Sequence, residues 1–97
     1  MVSSQRNARF HLLATVVVVT VFAVVGIPAL EWAVISLAVA LVWTAEALNT
    51  ALERLADRAC PDHHPLIRRC KDAAAAAVLL AAAGAAAAGI LIFLSHV

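Results

Sequence analysis

The sequence predicts an all-α membrane protein with three transmembrane helices per protomer. Of its 97 residues, 65% are hydrophobic and 13% are charged, and the mean hydropathy is +0.99. A soluble domain of this size could not bury so much apolar surface. A spanning helix needs roughly 20 apolar residues, and three suitable segments occur, at about 10–27, 32–55 and 73–95. We therefore expect residues 1–97 to form a single membrane-embedded domain.

The ends of the three segments carry ordinary helix-breaking and interfacial signals. Gly26 and Pro28 interrupt the valine-rich first span, and Trp32 near the start of the second suits an interfacial anchor. The sequence Cys-Pro-Asp at 60–62 ends the second span, and Pro65 precedes the third. The third span is rich in Ala and Gly, which let membrane helices approach closely, so it is expected to supply a packing surface.

The basic residues predict the orientation. All seven Lys and Arg lie near the N-terminus or around the second connection, and the first connection has none. Lys and Arg favour the cytoplasmic side, so the N-terminus and the 56–70 loop are expected there, with 26–31 and the C-terminus outside. A cleaved signal peptide is the alternative for the first span, but the apolar run is long and no clear A-x-A cleavage site follows it.

A stripe of polar residues follows the second span towards the cytoplasmic side. Glu46, Asn49, Thr50, Glu53 and Asp57 are spaced so that all fall on one face of a helix. Ionisable groups at membrane depth are costly and usually face a protein interior or a wet cavity. A buried network that only joins helices is one interpretation. Three helices cover such a stripe poorly, so neighbouring subunits or a ligand are expected to cover it.

A second charged cluster, RRCKD at 68–72, begins the third span. Basic residues here fit the membrane topology, and Asp72 suits a helix N-terminus. Carboxylates that could hold Mg²⁺ and a lysine, Lys71, that could meet phosphate are also the parts that phosphoryl transfer requires. The sequence has no Walker glycine loop and no protein-kinase signature. The residues alone thus indicate a membrane site suited to a metal–phosphate ligand.

The connection between the second and third spans offers a different metal site as an alternative. Cys60, His63, His64 and Cys70 include a Cys-x-x-His half-site that could bind zinc. A stable disulfide between the two cysteines is not expected on the cytoplasmic side.

Two motifs together resemble a known family. The stretch EALNTALERLAD and the later HPLIRRCKDAAAAAVLL are similar to the small integral-membrane diacylglycerol kinases and undecaprenol kinases of bacteria, over about residues 5–97. The resemblance implies a homotrimer of three-span protomers with active sites shared between subunits. It also implies ATP as phosphoryl donor, Mg²⁺ as cofactor and a lipid hydroxyl as acceptor.

The resemblance assigns roles by position. Glu46 matches the catalytic carboxylate that accepts or orients the lipid hydroxyl, Asn49 supports it, and Glu53 matches a metal ligand. The nucleotide-site positions are Asp62, His63, His64, Lys71 and Asp72. The lipid-side positions are Asn7, Arg9, His11 and Ala75.

The chain departs from the family pattern in two places. Gln5 stands where the family usually has a second metal-binding Glu, and an amide is a weaker ligand for a hard cation. The family also has a preceding segment that forms an amphipathic surface helix, which is expected to be missing here. Both departures concern nucleotide binding more than lipid binding.

These observations predict a trimeric kinase of a membrane lipid alcohol in the bacterial inner membrane, acting on diacylglycerol or undecaprenol and binding no nucleic acid. The LNTA and HPL sequences resemble the undecaprenol kinase branch of the family, which favours undecaprenol as the acceptor. A family member that kept the trimer and lost the chemistry is the main alternative. A metal-ion or proton pathway is a further alternative, although the third span has no ionisable residue deeper than Asp72.

Overall fold

The protein consists of three long α-helices. The structure, a computed structural model, describes residues 2–62 and 64–97, with side chains from residue 8 onward. The helices are α1 (Val2–Val25), α2 (Ala29–Ala59) and α3 (Pro65–Ser95), and the described ranges contain no strand. Each helix is long and apolar enough to cross a membrane. The predicted all-α, three-span fold is confirmed.

The helices extend beyond the predicted apolar segments. α1 begins at Val2 rather than near residue 10, and α2 is longer than 32–55 at both ends. α3 begins at Pro65, so the basic cluster 68–72 lies within its first turns. Hydropathy marks only the part of a helix suited to lipid, whereas the backbone continues as a helix through polar residues until Pro or Gly interrupts it.

The α1–α2 connection is a tight turn of three residues. Gly26 has φ = 78°, a left-handed conformation that favours glycine after a helix, and its N–H donates to the carbonyl of Phe22 at 2.9 Å. Pro28 then stands just before α2, and its carbonyl accepts from the backbone N–H groups of Glu31 and Trp32. The predicted break at Gly26 and Pro28 is confirmed.

A histidine in the α2–α3 connection caps the N-terminus of α3. The N–H of Cys60 donates to the carbonyl of Ala56 at 2.8 Å and closes α2. His64 is the residue before α3, and its Nδ1 accepts from the N–H of Leu66 at 3.1 Å. Pro65 occupies the first helical position, where its missing N–H costs nothing. The side chain of His64 therefore helps to begin α3, which the sequence did not predict.

α2 and α3 run antiparallel along most of their lengths, whereas α1 contacts α2 much less. The bundle measures 51 × 21 × 17 Å. Its buried apolar cluster, formed by Phe22, Ile27 and Ile35, lies near the α1–α2 turn. The ends of α2 and α3 are joined by His96 Nε2 and Glu31 Oε1 at 2.6 Å and, at the opposite end, by an ion pair between Lys71 and Asp57.

Most of the apolar surface faces outward. In an apolar 18-residue stretch of α1, α2 and α3, only 6%, 17% and 6% of the residues are buried. Exposed leucines and valines on all three helices suit contact with lipid or with other subunits. A Cβ added to Gly84 or Gly89 would meet nothing within 4 Å. The small residues of α3 at these two positions therefore do not serve close packing within one chain.

Candidate active site

The most buried carboxylate of the polar stripe faces α1. Glu46 on α2 is 8% exposed, and its Oε2 lies 3.2 Å from Nε2 of His11 on α1. The side chains of His11 and Glu46 are 13% and 10% exposed. The other oxygen, Oε1, has only a long 3.5 Å contact from the hydroxyl of Thr50. One oxygen of Glu46 is thus held by histidine, and the other remains available.

Two residues that the sequence did not single out support His11. The indole N–H of Trp43 donates to Oγ1 of Thr15 at 3.0 Å, and that hydroxyl donates to the carbonyl of His11 at 2.7 Å. The rings of His11 and Trp43 are 5.9 Å apart and tilted by 57°. Thr15 follows His11 by four residues, and Trp43 precedes Glu46 by three. This helical spacing was the available signal.

Asn49 and Glu53 form a second pair one turn further along the stripe. Nδ2 of Asn49 donates to Oε1 of Glu53 at 3.1 Å. Asn49 is 9% exposed, and its Oδ1 is buried without a hydrogen-bond partner. Exchanging the amide oxygen and nitrogen would place two oxygens together, so the assigned orientation is the favourable one. An unpartnered buried oxygen beside a carboxylate is an arrangement suited to a cation.

The oxygen donors of this pair fit the chemistry of Mg²⁺. Mg²⁺ prefers oxygen ligands and is usually held by one or two carboxylates together with water and substrate phosphates. Within the described residues, no three His, Cys, Asp or Glu side chains come together as metal ligands. The described part of the chain therefore does not assemble the alternative zinc site, whose His63 lies outside the described residues. Glu53 and Asn49 are therefore the pair that could hold a magnesium ion.

A polar recess opens at the α2–α3 connection. It has a volume of about 690 Å³, within the range of small-molecule sites. Four of the five residues predicted for nucleotide binding line it: Asp62, His64, Lys71 and Asp72. The fifth, His63, lies outside the described residues. Arg68 and Asp57 also line the recess, so two cationic and four acidic or histidine side chains face one space.

Two contacts define how the recess could receive an anion. Lys71 pairs with Asp57 across α2 and α3, with 36% and 61% of the side chains exposed. An exposed ion pair of this kind stabilises the fold little, so Lys71 can exchange Asp57 for a ligand. Nδ1 of His64 accepts from the N–H of Leu66. Its Nε2 is then the ring nitrogen that carries hydrogen and can donate.

Two further predicted residues, Arg9 and Ala75, do not join these clusters in one chain. Arg9 and Ala75 are exposed, and Ala75 is absent from the lining of the apolar cavity beside His11. The side chains of Gln5 and Asn7 lie outside the described residues. Their assigned roles remain predictions.

Glu46 and Asp57 are eleven residues apart on α2, about 16 Å along a helix. The carboxylate near α1 and the polar recess are therefore separate regions of one face.

Comparisons with known proteins find similarity to kinases. A family model described as prokaryotic diacylglycerol kinase matches residues 1–93. Undecaprenol kinase of Bacillus subtilis is 38% identical over 91 residues, which cover 94% of this chain and 74% of that protein. Diacylglycerol kinase of Synechocystis sp. is 40% identical over 73 residues, covering 74% of this chain and 42% of that protein. No solved structure gives a significant match.

Three apolar helices with carboxylates and a lysine gathered towards one end define a multi-pass membrane protein with an enzyme-like polar site. The match over residues 1–93 makes the chain a member of the prokaryotic diacylglycerol kinase family. It is therefore a kinase, and the resemblance that its two motifs indicated is confirmed.

Proposed function

We propose that this protein transfers the γ-phosphate of ATP to the hydroxyl of a membrane lipid alcohol at the cytoplasmic side of the bacterial inner membrane. The acceptor is undecaprenol or diacylglycerol, and the product is undecaprenyl phosphate or phosphatidic acid. The observation that carries the proposal is the buried Glu46, paired with His11 between two membrane helices. An ionisable side chain at membrane depth is costly, and such residues usually mark a functional site.

The acceptor hydroxyl is received at Glu46. Its Oε2 is held by His11, whereas Oε1 has only the long contact with Thr50. Oε1 is thus the oxygen that accepts the hydroxyl proton as the lipid oxygen bonds to phosphorus and the bond from phosphorus to ADP breaks. An apolar cavity of about 300 Å³, lined by Phe10, Val39 and Val42 among others, adjoins His11. Such a cavity suits the hydrocarbon next to the hydroxyl.

The nucleotide is received at the recess between α2 and α3. Lys71 and Arg68 supply positive charge, and Nε2 of His64 can donate a hydrogen bond. The acidic groups Asp57, Asp62 and Asp72 also face the recess. Phosphate therefore needs a cation beside it. Glu53 and Asn49 would hold Mg²⁺ with ATP, and the ion would neutralise charge on the phosphate oxygens.

The protein acts as a homotrimer, in which neighbouring subunits complete the active site. In one chain the nucleotide recess and Glu46 lie about 16 Å apart along α2, and α1 makes only sparse contacts with α2. The exposed apolar faces and the small residues of α3 offer surface for neighbouring subunits. Active sites shared between subunits would bring the two halves together.

A side-by-side assay of acceptors tests the function. We expect purified protein in one detergent, with ATP and Mg²⁺, to phosphorylate undecaprenol faster than diacylglycerol. The expectation rests on the LNTA and HPL sequences and agrees with the relative named undecaprenol kinase. A clear preference for diacylglycerol would reverse the acceptor assignment. No turnover with either lipid would reject the proposed activity in favour of a family member that has lost it.

The role of Lys71 gives a second prediction. Lys71→Met should raise the KM for ATP by more than about tenfold, because the recess loses the cation that can exchange Asp57 for phosphate. Asp57→Asn should lower that KM, since it frees Lys71. Arg69→Met is the matched control, because Arg69 is an exposed cation on α3 that does not line the recess. Equal effects of the two methionine substitutions would contradict the assignment.

A further inference from the structure

A continuous series of contacts links Trp43 to Glu46 through α1. Trp43 donates to Thr15, Thr15 donates to the carbonyl of His11, and His11 meets Glu46. The series begins and ends on one face of α2, because Trp43 and Glu46 are three residues apart. All four side chains are buried or half-buried. The hydrogen bonds of Trp43 and Thr15 therefore lead to the backbone carbonyl of His11 and not directly to Glu46.

Among the side chains described from residue 8 onward, few other contacts hold this end of α1 against α2. The apolar cluster that joins α1 to α2 is built on Phe22, Ile27 and Ile35, at the opposite end of α1. Between that cluster and His11 lies the cavity of about 300 Å³, which leaves the facing surfaces apart. The Trp43–Thr15 hydrogen bond therefore ties α1 to α2 one helical turn from His11.

We propose that Trp43 and Thr15 are positioning residues for phosphoryl transfer, because they hold His11 so that its Nε2 donates to Oε2 of Glu46. This inference rests on the proposed function. With Oε2 held, Oε1 stays directed at the acceptor hydroxyl, and the carboxylate needs no rearrangement during the reaction. A displacement of about 1 Å at such a site can cost a large factor in rate.

Variants that lack the hydroxyl of Thr15 or the indole N–H of Trp43 test the proposal. Thr15→Val and Trp43→Phe should each lower kcat about five- to tenfold, the effect of one hydrogen bond expressed in the transition state. The KM for ATP should stay within about twofold, since binding at the distant recess is untouched. Thr15→Ser should restore wild-type kcat, and the double variant should be no worse than Thr15→Val.

The chain supplies matched controls for both substitutions. Thr20→Val makes the same change on the exposed side of α1, and Trp32→Phe makes it at the far end of α2. Both controls should keep wild-type kinetics. All variants are compared as full chains in the same detergent, and size-exclusion chromatography reports their assembly.

A measurement without turnover checks the hydrogen bond itself. The chain has two tryptophans, so a ¹H–¹⁵N spectrum resolves two indole N–H signals. Thr15→Val should shift the Trp43 signal and speed its hydrogen exchange, while Trp32 serves as the internal reference. Unchanged exchange at Trp43 would overturn the inference.

The kinetic outcomes separate the inference from the function on which it rests. If the wild-type protein is active and Thr15→Val and Trp43→Phe have the same kcat as their controls, the positioning role alone is rejected. A parallel loss of kcat, ATP affinity and assembly would show a merely structural contact and would also reject it. A wild-type protein that phosphorylates no lipid alcohol would reject the proposed function itself.

Discussion

Glu46→Gln is expected to lower kcat roughly 10²- to 10⁴-fold, the usual contribution of a positioned acid or base. Glutamine keeps the shape of the side chain and can still accept a hydrogen bond from His11, but it cannot take the hydroxyl proton. The KM for ATP should change little, because the lost interaction belongs to the transition state. Steady-state kinetics over both substrates measure the effect.

The matched control lies on the same helix. Glu31 also pairs with a histidine, His96, but at the opposite end of α2. Glu31→Gln therefore makes the same chemical change to a histidine–glutamate pair outside the proposed site, and it should leave kcat unaltered. If Glu46→Gln retains wild-type kcat, Glu46 does not act on the acceptor.

Glu53→Gln is expected to abolish Mg²⁺-dependent nucleotide binding while the protein keeps its assembly. Glu53 and Asn49 are the oxygen donors proposed for the cation, and Gln5, to which the resemblance assigns the second metal position, is neutral. Losing the one carboxylate should weaken affinity by more than about tenfold, or 1.4 kcal/mol. The amide oxygen of glutamine can still accept from Asn49, so the local packing is preserved.

Titration of a non-hydrolysable ATP analogue measures this change. Wild type should bind more tightly with Mg²⁺ than with EDTA, and Glu53→Gln should lose that difference. Size-exclusion chromatography shows whether the assembly survives. Equal affinities of the two forms in Mg²⁺ would show that Glu53 is not the ligand. The two glutamates are then told apart, since one changes kcat and the other changes nucleotide affinity.

Sequence periodicity predicted what lies on a single helix. The 3.6-residue repeat placed Glu46, Asn49, Thr50 and Glu53 on one face, and the structure joins Glu46 to Thr50 and Asn49 to Glu53. It could not predict which neighbouring helix each residue meets, since that depends on the rotation of α1 and the register of α3. The His11–Glu46 contact and the ion pair between Lys71 and Asp57 are such results.

The family resemblance assigned a group of residues to one nucleotide site. Asp62, His64, Lys71 and Asp72 line one recess, although nine residues lie between the first and the last. The resemblance did not predict the helix cap at His64 or the hydrogen bond between Trp43 and Thr15. Nδ1 of His64 begins α3, and Trp43 reaches Thr15 across the bundle. Both depend on side-chain geometry that has no fixed spacing in sequence.

The two ties between α2 and α3 have a consequence for the alanine-rich segment between them. His96 meets Glu31 at one end of the pair of helices, and Lys71 meets Asp57 at the other. One inserted residue would advance the remainder of a helix by about 1.5 Å and turn it by about 100°. Both ties could not then form together. The alanine run acts as a spacer, so its composition can vary while its number of residues sets where Lys71 stands beside α2.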